Sequence, residues 1–397
     1  MTAMLEPLPT AVLPAGVRAR RLDNGNGLDV HLLEAGWESP GRPLLLLLHG
    51  FPELAFSWRS VMPALAQAGY HVVAPDQRGY GRTLGWIADY DGDLRPYRMI
   101  NLVRDALGLV WALGRREVAA VVGHDFGSMV AGWCAVVRPD VFRRVVMMSA
   151  PFAGPPPMPV IGEDATDRAA GDGRGAARPL ASKAADIHSA LAALARPRKH
   201  YQWYYSTRAA NEDMWRCPQG LRDFLRAYFH MKSADWRENR PYRLSGWDAD
   251  SLAAMPTYYI MDLERNMAQT VAGELPSAAS IVANTWLPES AMDVYVDEYR
   301  RTGFQGGLQW YRCQTGTRFL AESQLFAGRS IDVPAMFVAG ESDWGIYQKP
   351  GDLEHLQGAL ARDWRGTIIV PGAGHWVQQE QPAAVVGHLL GFLAETR

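Results

Sequence analysis

The chain has 397 residues, with 40 Lys and Arg set against 42 Asp and Glu, a formal net charge of -2. So even a balance offers no basic field for nucleic acid or an anionic lipid surface, and the expected partner is a small molecule. The length allows one large or two ordinary domains with a substantial core.

The three cysteines, Cys134, Cys217 and Cys313, are odd in number, far apart and free of any C-x-x-C spacing. That argues against a disulfide framework or a zinc site and suits a reducing, cytoplasmic setting. No run approaches the roughly 18 apolar residues of a membrane span. The start, "MTAMLEPLPTAVLPAG", has no cationic stretch ahead of an apolar one, so no export signal is expected.

In chain order, "VRARRLDNGNGLDVHLLE" (17–34) reads as two strands around an Asn24-Gly25 or Asn26-Gly27 turn. "PLLLLLHG" (43–50) is a continuous apolar strand, "SWRSVMPALAQAGY" a helix and "HVVAPD" another strand. A helix near 98–114, a strand at 117–123, a helix from 126 and a strand in "RRVVMMSA" (143–150) continue the alternation. Consecutive apolar strands separated by helices predict an α/β fold with a mostly parallel sheet covered on both faces.

From about Phe152 this alternation stops for nearly 180 residues. The segment 162–183, rich in Gly, Ala, Asp and Arg, reads as a surface loop. Beyond it the chain is aromatic and helical in pattern, as in "KHYQWYYSTRAANEDMW", "GLRDFLRAYFHMKSADW" and "ESAMDVYVDEYRRTGFQGGLQWYR". The sheet resumes with "VPAMFVAG" (333–340), a helix near 351–362, "GTIIVPGAGH" (366–375) and a closing helix from about Pro382. The expected organisation is a core of 1–151 and 331–397 with a helical cap, 152–330, over the sheet edge where open α/β sheets bind ligands.

The chemistry centres on "VAAVVGHDFGSMVAGW", where an apolar run turns sharply into a helix-compatible pattern. Small residues two before and two after a central side chain are what a nucleophile elbow requires, because bulkier neighbours would collide at the strained turn. Here the exposed tip is Asp125. The partners of such a nucleophile come later in the chain, in the order acid, then histidine. His375 follows the last strand in "PGAGHW", and Asp343 follows the strand before it in "AGESDWG", with Glu341 the competing acid. The acid would orient the histidine and stabilise its imidazolium.

An aspartate at the elbow is already ionised at neutral pH and displaces a leaving group at saturated carbon, forming an alkyl ester. His375 would then activate water against the carboxyl carbon of Asp125. The backbone N–H groups of Phe51, in "HGFP", and Phe126 are the expected oxyanion donors. Such a carboxylate selects carbon-centred electrophiles, epoxides and alkyl halides, over ordinary esters. No metal ion or cofactor is expected.

Taken together, "HGFPELAFSWR", "PDQRGYG", "GHDFG", "ESDW" and "GHW" resemble the soluble epoxide hydrolases of the α/β-hydrolase superfamily. The likeness spans the chain apart from its first dozen residues and the 162–183 loop. It implies an eight-stranded, mostly parallel sheet with an inserted helical cap, and a cis peptide before Pro52. It also implies two cap tyrosines that hold the epoxide oxygen; "HYQWYY" and "GGLQWYR" supply Tyr201 and Tyr311. A phenol near pKa 10 can donate to the forming alkoxide. A homo-oligomer is left open, and the aromatic, Met-containing cap implies a small-molecule substrate that is a bulky, apolar epoxide.

Other residues have blander readings. Tyr204, Tyr205, Phe224, Tyr228 and Trp236 are assigned to packing or cleft lining, and Cys134 to the core. His49 and His124 would orient backbone, and Arg78 would brace a loop. Two other functions share the fold. A haloalkane or haloacid dehalogenase would use the same Asp, His and acid, but Phe126 and Phe51 offer none of the halide-binding side chains such enzymes carry beside the nucleophile. A non-catalytic small-molecule binder is opposed by the presence of all three triad positions.

Overall fold

The computed structural model describes residues 5–158 and 187–396, so the 162–183 segment lies outside the described residues. The strands run in chain order as β1 (Val17–Asp23), β2 (Asp29–Ala35), β3 (Leu44–Leu48), β4 (His71–Pro75), β5 (Ala120–His124), β6 (Val145–Met148), β7 (Arg198–His200), β8 (Ile260–Asp262), β9 (Ile331–Gly340) and β10 (Ala361–Val370). All but β7 and β8 form one eight-stranded sheet in the order β1-β2-β4-β3-β5-β6-β9-β10. β2 pairs antiparallel with β1 and β4, and the other neighbours are parallel.

Every residue of β3, β4, β5 and β6 is buried. That is what continuous apolar runs such as "LLLLL" require: a strand with both faces covered has no position for an outward polar side chain. The helices α1 (Met62–Gln67), α2 (Met99–Ala112) and α3 (Phe126–Val137) are the expected crossovers, and Pro382–Glu395 is the expected closing helix.

Two details of the core differ from the sequence expectation. The first hairpin does not close through a two-residue Asn-Gly turn. Its register pairs Asp23 with Asp29, which leaves a five-residue loop, 24–28, with both Gly25 and Gly27 at positive φ. The Asn24 side chain holds this loop by accepting from the N–H groups of Asn26 and Leu28. The last strand begins at Ala361, five residues before the expected Gly366, with register shifts along its pairing to β9.

Between β6 and β9 the chain leaves the sheet and forms the mainly helical cap. Its longer helices are Leu221–Lys232, Glu289–Thr302 and Gln305–Thr315. It also contains a small antiparallel pair, β7 with β8, that the helical pattern did not announce. That pair fixes the start of the helix Tyr201–Tyr205, whose first residue also donates its N–H to the Tyr259 carbonyl at 2.9 Å.

The cap meets the core through backbone contact. A Cβ at Gly306 would lie 2.0 Å from the Gly79 carbonyl oxygen, so the first glycine of "GGLQWYR" lets the helix Gln305–Thr315 lie directly on the loop after β4. Among the described residues no helix is long and apolar enough to cross a membrane.

Candidate active site

Asp125 stands between β5 and α3 with φ 52° and ψ -117°. A non-glycine residue at positive φ is strained and persists only where its surroundings hold it. The surroundings are tight: a Cβ at Gly123 would meet the Gly127 carbonyl oxygen at 2.0 Å, and one at Gly127 would meet the Leu48 carbonyl oxygen at 2.3 Å. The two glycines of "GHDFG" therefore allow the turn that lifts Asp125 out of the sheet.

His375 lies between the other two triad candidates. Its Nδ1 is 3.0 Å from Asp343 Oδ1 and its Nε2 is 3.3 Å from Asp125 Oδ2. Asp343 is buried, and its Oδ1 also accepts the Gly345 N–H at 2.7 Å. Glu341 is exposed and offers His375 no contact, so the geometry favours Asp343 of the two acids. The Phe51 N–H donates to Asp125 Oδ1 at 3.0 Å, across the cis Phe51-Pro52 turn. The Phe126 N–H opens α3, where a helix leaves its first donors without internal partners.

The rings of these two phenylalanines also position the cap. Tyr311 stands edge-on to Phe51 at 5.5 Å and to Phe126 at 5.1 Å, and its ring is 6.0 Å from that of Tyr201. Asp125, Phe126, Tyr201 and Tyr311 share the wall of one cleft. The Tyr201 hydroxyl donates to Gln348 Oε1 at 3.0 Å and accepts from Gln202 Nε2 at 3.2 Å.

The other aromatic candidates are buried or partly buried and engaged by neighbouring side chains. Tyr205 bonds Tyr228 at 3.2 Å, Tyr204 bonds Asp213, Trp236 bonds Glu274, and Phe224 packs on Tyr228 and Phe304. Cys134 is fully buried in α3.

The electrostatics fit a charged nucleophile beside a base. Burial alone would raise the Asp125 pKa, but the His375 imidazole at 3.3 Å and the charges of Lys232 and His124 hold it well below the usual carboxylate range. Asp343 is likewise kept low despite burial, chiefly by His375. For His375, burial and the Lys232 ammonium pull downward, yet Asp343 and Asp125 outweigh them and leave it raised. Burial, reinforced by Asp125 and neighbouring phenols, lifts Tyr201 and Tyr311 far above the ordinary phenol value, so both stay protonated.

Three features carry no clear signal of their role in the sequence. Lys232 is buried at the end of the helix Leu221–Lys232, its ammonium 5.1 to 5.5 Å from the ring centres of Tyr228, Tyr259 and Trp376. Glu53 is fully buried and joins His124 Nδ1 at 2.5 Å to the side-chain amides of Gln378 and Gln379. Through Nε2, His124 meets the His375 carbonyl at 2.7 Å. Glu380 receives the N–H groups of Ala234, Gly374 and Trp376 at 2.8 to 2.9 Å, so one carboxylate ties the cap to both flanks of His375. Only Glu53 has a local hint, its place directly after "HGFP".

His49 does orient backbone, accepting the Gln77 N–H at 3.1 Å, and Arg78 braces the first hairpin loop through two bonds of 2.7 Å to Asp105 and one to the Asn26 carbonyl.

With this geometry established, comparison with known proteins gives consistent relatives. Residues 43–382 match the family model described as alpha/beta hydrolase fold. Epoxide hydrolase A of Mycobacterium tuberculosis is 32% identical over 393 residues, covering 95% of this chain and 98% of its own. Epoxide hydrolase B of the same organism is also 32% identical, covering 96% and 99%. Among solved structures, an epoxide hydrolase from an endophytic Streptomyces superposes with a TM-score of 0.71 at 27% identity, covering 96% of each chain. A laboratory-evolved variant of potato epoxide hydrolase gives 0.70 at 25% identity, covering 96% and 99%. The chain belongs to the α/β-hydrolase fold family and, within it, to the epoxide hydrolases.

Proposed function

We propose that the protein is an epoxide hydrolase that converts an epoxide to a vicinal diol through an ester on Asp125. The observation that carries the reading is the line Asp343, His375, Asp125, with contacts of 3.0 and 3.3 Å, in a cleft whose wall also carries the phenols of Tyr201 and Tyr311. The organisation that goes with it is a core of 1–151 and 331–397 and a cap of 152–330.

In the first step Asp125 attacks one ring carbon, the C–O bond of the epoxide breaks, and Tyr201 or Tyr311 gives its proton to the oxygen that leaves. The result is an alkyl ester of Asp125 and a tyrosinate. In the second step His375 takes a proton from water, and the hydroxide oxygen adds to the ester carbonyl carbon of Asp125. The oxyanion so formed lies on the N–H groups of Phe51 and Phe126. Collapse expels the second alkoxide of the diol, which takes the proton held by His375. The other water proton, left on the regenerated carboxyl of Asp125, returns to the tyrosinate. Epoxide plus water gives diol, and the enzyme is restored.

Phe126, Ala150 and Pro151 give the buried part of the cleft an apolar lining, which supports a small apolar group at the reacting end of the substrate. Three free thiols support a reducing, cytoplasmic setting. A panel of terminal and internal epoxides, followed for diol, tests the activity, and the same panel of haloalkanes followed for halide is its counterpart. Diol release without halide release is expected; halide release alone would overturn the reading.

A further inference from the structure

The cleft above Asp125 changes character toward solvent. Its buried wall joins Phe126, Ala150, Tyr201 and Tyr311 to Gln202 and Gln348, and Gln314, Lys349 and Asp352 complete it toward solvent. Of these, Gln202 and Gln348 are already bonded to the Tyr201 hydroxyl. Gln314 is exposed, and Lys349 and Asp352 are half-buried. Asp352 is the anomaly: its Oδ2 is shut off from solvent and has no hydrogen-bond partner. A buried acceptor without a donor is costly, and native structures rarely keep one without a reason.

We propose that Asp352 and its neighbours form a subsite for a hydroxyl group carried by the epoxide's substituent, so that the substrate is amphipathic, with an apolar reacting end and a hydrogen-bond donor at the cleft mouth. The inference rests on the epoxide hydrolase reading and adds to it the substrate class.

The chemistry narrows the group. Burial pushes the Asp352 carboxyl up to about 6, against the opposing pull of Lys349, so at neutral pH it is mainly an acceptor that requires a donor. A carboxylate on the substrate would meet the negative charge of Asp352 and, deeper in, that of Asp125. An ammonium group would meet Lys349. A hydroxyl carries no charge and satisfies Oδ2 once the half-buried Asp352 side chain turns that oxygen toward the cleft. The aromatic cap had implied a wholly apolar substrate, but of its aromatic side chains only Tyr201 and Tyr311 reach this wall.

The test uses 1,2-epoxyalkanes of graded length, each beside its ω-hydroxy and ω-carboxy counterpart. At the chain length that spans the cleft, kcat/KM for the ω-hydroxy compound should exceed that of the plain alkane by about tenfold, the scale of one well-made hydrogen bond. Asp352→Leu should reduce that ratio to about one, and Asp352→Asn, whose amide oxygen still accepts, should retain part of it. Equal kcat/KM for the two compounds in the wild type, or preference for the ω-carboxy epoxide, overturns the subsite while leaving the reaction intact. The corresponding diols, with and without the ω-hydroxyl, are titrated by calorimetry into Asp125→Asn. This measurement reads the subsite without turnover, and equal affinities there overturn the proposal even if no epoxide is hydrolysed.

Discussion

The backbone N–H of His375 donates to the carbonyl of Lys232 at 2.8 Å, so the last residue of a cap helix is tied to the histidine of the core. The same lysine places its buried ammonium where it acts on the central histidine and on Asp125, lowering the pKa of both.

Lys232→Met should therefore raise the pKa of His375, because a cation that disfavours the imidazolium is removed. A base must be neutral to accept a proton, so the acid limb of the kcat profile should move to higher pH, while Lys232→Arg should hold it nearer the wild-type position. Pre-steady-state ester hydrolysis followed against pH reads the shift. An unchanged profile in Lys232→Met would separate this charge from the base.

The acid of the triad is expected to be Asp343 alone. Asp343→Asn should lower kcat by roughly the 10,000-fold seen when a triad carboxylate is made neutral, since the imidazole loses the partner that fixes its tautomer. Glu341→Gln, at an exposed position, should stay within about twofold of wild type. Steady-state kinetics with one epoxide decides between them.

Tyr201→Phe and Tyr311→Phe should each slow alkylation by something within the ~100- to 10,000-fold range of acid catalysis, and the double change should nearly abolish it. Ester hydrolysis should suffer less, because its oxyanion is assigned to backbone donors. Stopped-flow single-turnover traces separate the two steps, and wild-type alkylation in both single variants would remove the phenols from the mechanism.

Gly306→Ala places a Cβ 2.0 Å from the Gly79 carbonyl oxygen, and backbone on both sides leaves nothing flexible to yield. A loss of about 1–3 kcal/mol, the usual scale of overpacking, is expected in urea unfolding, together with reduced alkylation as the helix bearing Tyr311 is displaced.

Stability should also fall in acid, and Glu34 provides a specific case. Burial would raise its pKa, but His71, Arg20 and Arg18 hold it at about 2, below the 4.5 of an unperturbed glutamate. Its contribution is complete above about 4.5 and is lost as pH falls through about 2. Glu34→Gln should flatten the decline of stability across that window, as urea midpoints at several pH values would record.

The sheet and the meeting of Asp125, His375 and Asp343 are legible because each rests on a short local pattern. Uninterrupted apolar runs mark strands covered on both faces, and "GHDFG", "ESDW" and "GHW" each sit where a strand ends. The cap is legible as helical, but its β7–β8 pair is only three residues long on each side, too short for any alternation to appear. The hairpin loop misleads because two Asn-Gly steps each imply a tight turn, while the N–H groups of Asn26 and Leu28 both donate to the Asn24 side chain and span both steps. Glu53 meets His124 71 positions away, Lys232 acts on Asp125 and Asp343 from another part of the chain, and Glu380 reaches Ala234 146 positions away, and no spacing encodes such meetings. The polar cleft mouth is hidden in the same way, since Gln348, Lys349 and Asp352 occupy the irregular stretch around the start of a helix after Asp343.

The central claim is that Asp125 carries the substrate as an ester until His375 activates water. His375→Gln should still be alkylated but should not be regenerated, so after incubation with an epoxide its intact mass should rise by the whole mass of the substrate, and peptide mapping should place the addition on Asp125. Asp125→Asn is the control and should gain nothing. A His375→Gln protein that stays at its unmodified mass while releasing diol, or that carries the addition at another residue, would contradict the account.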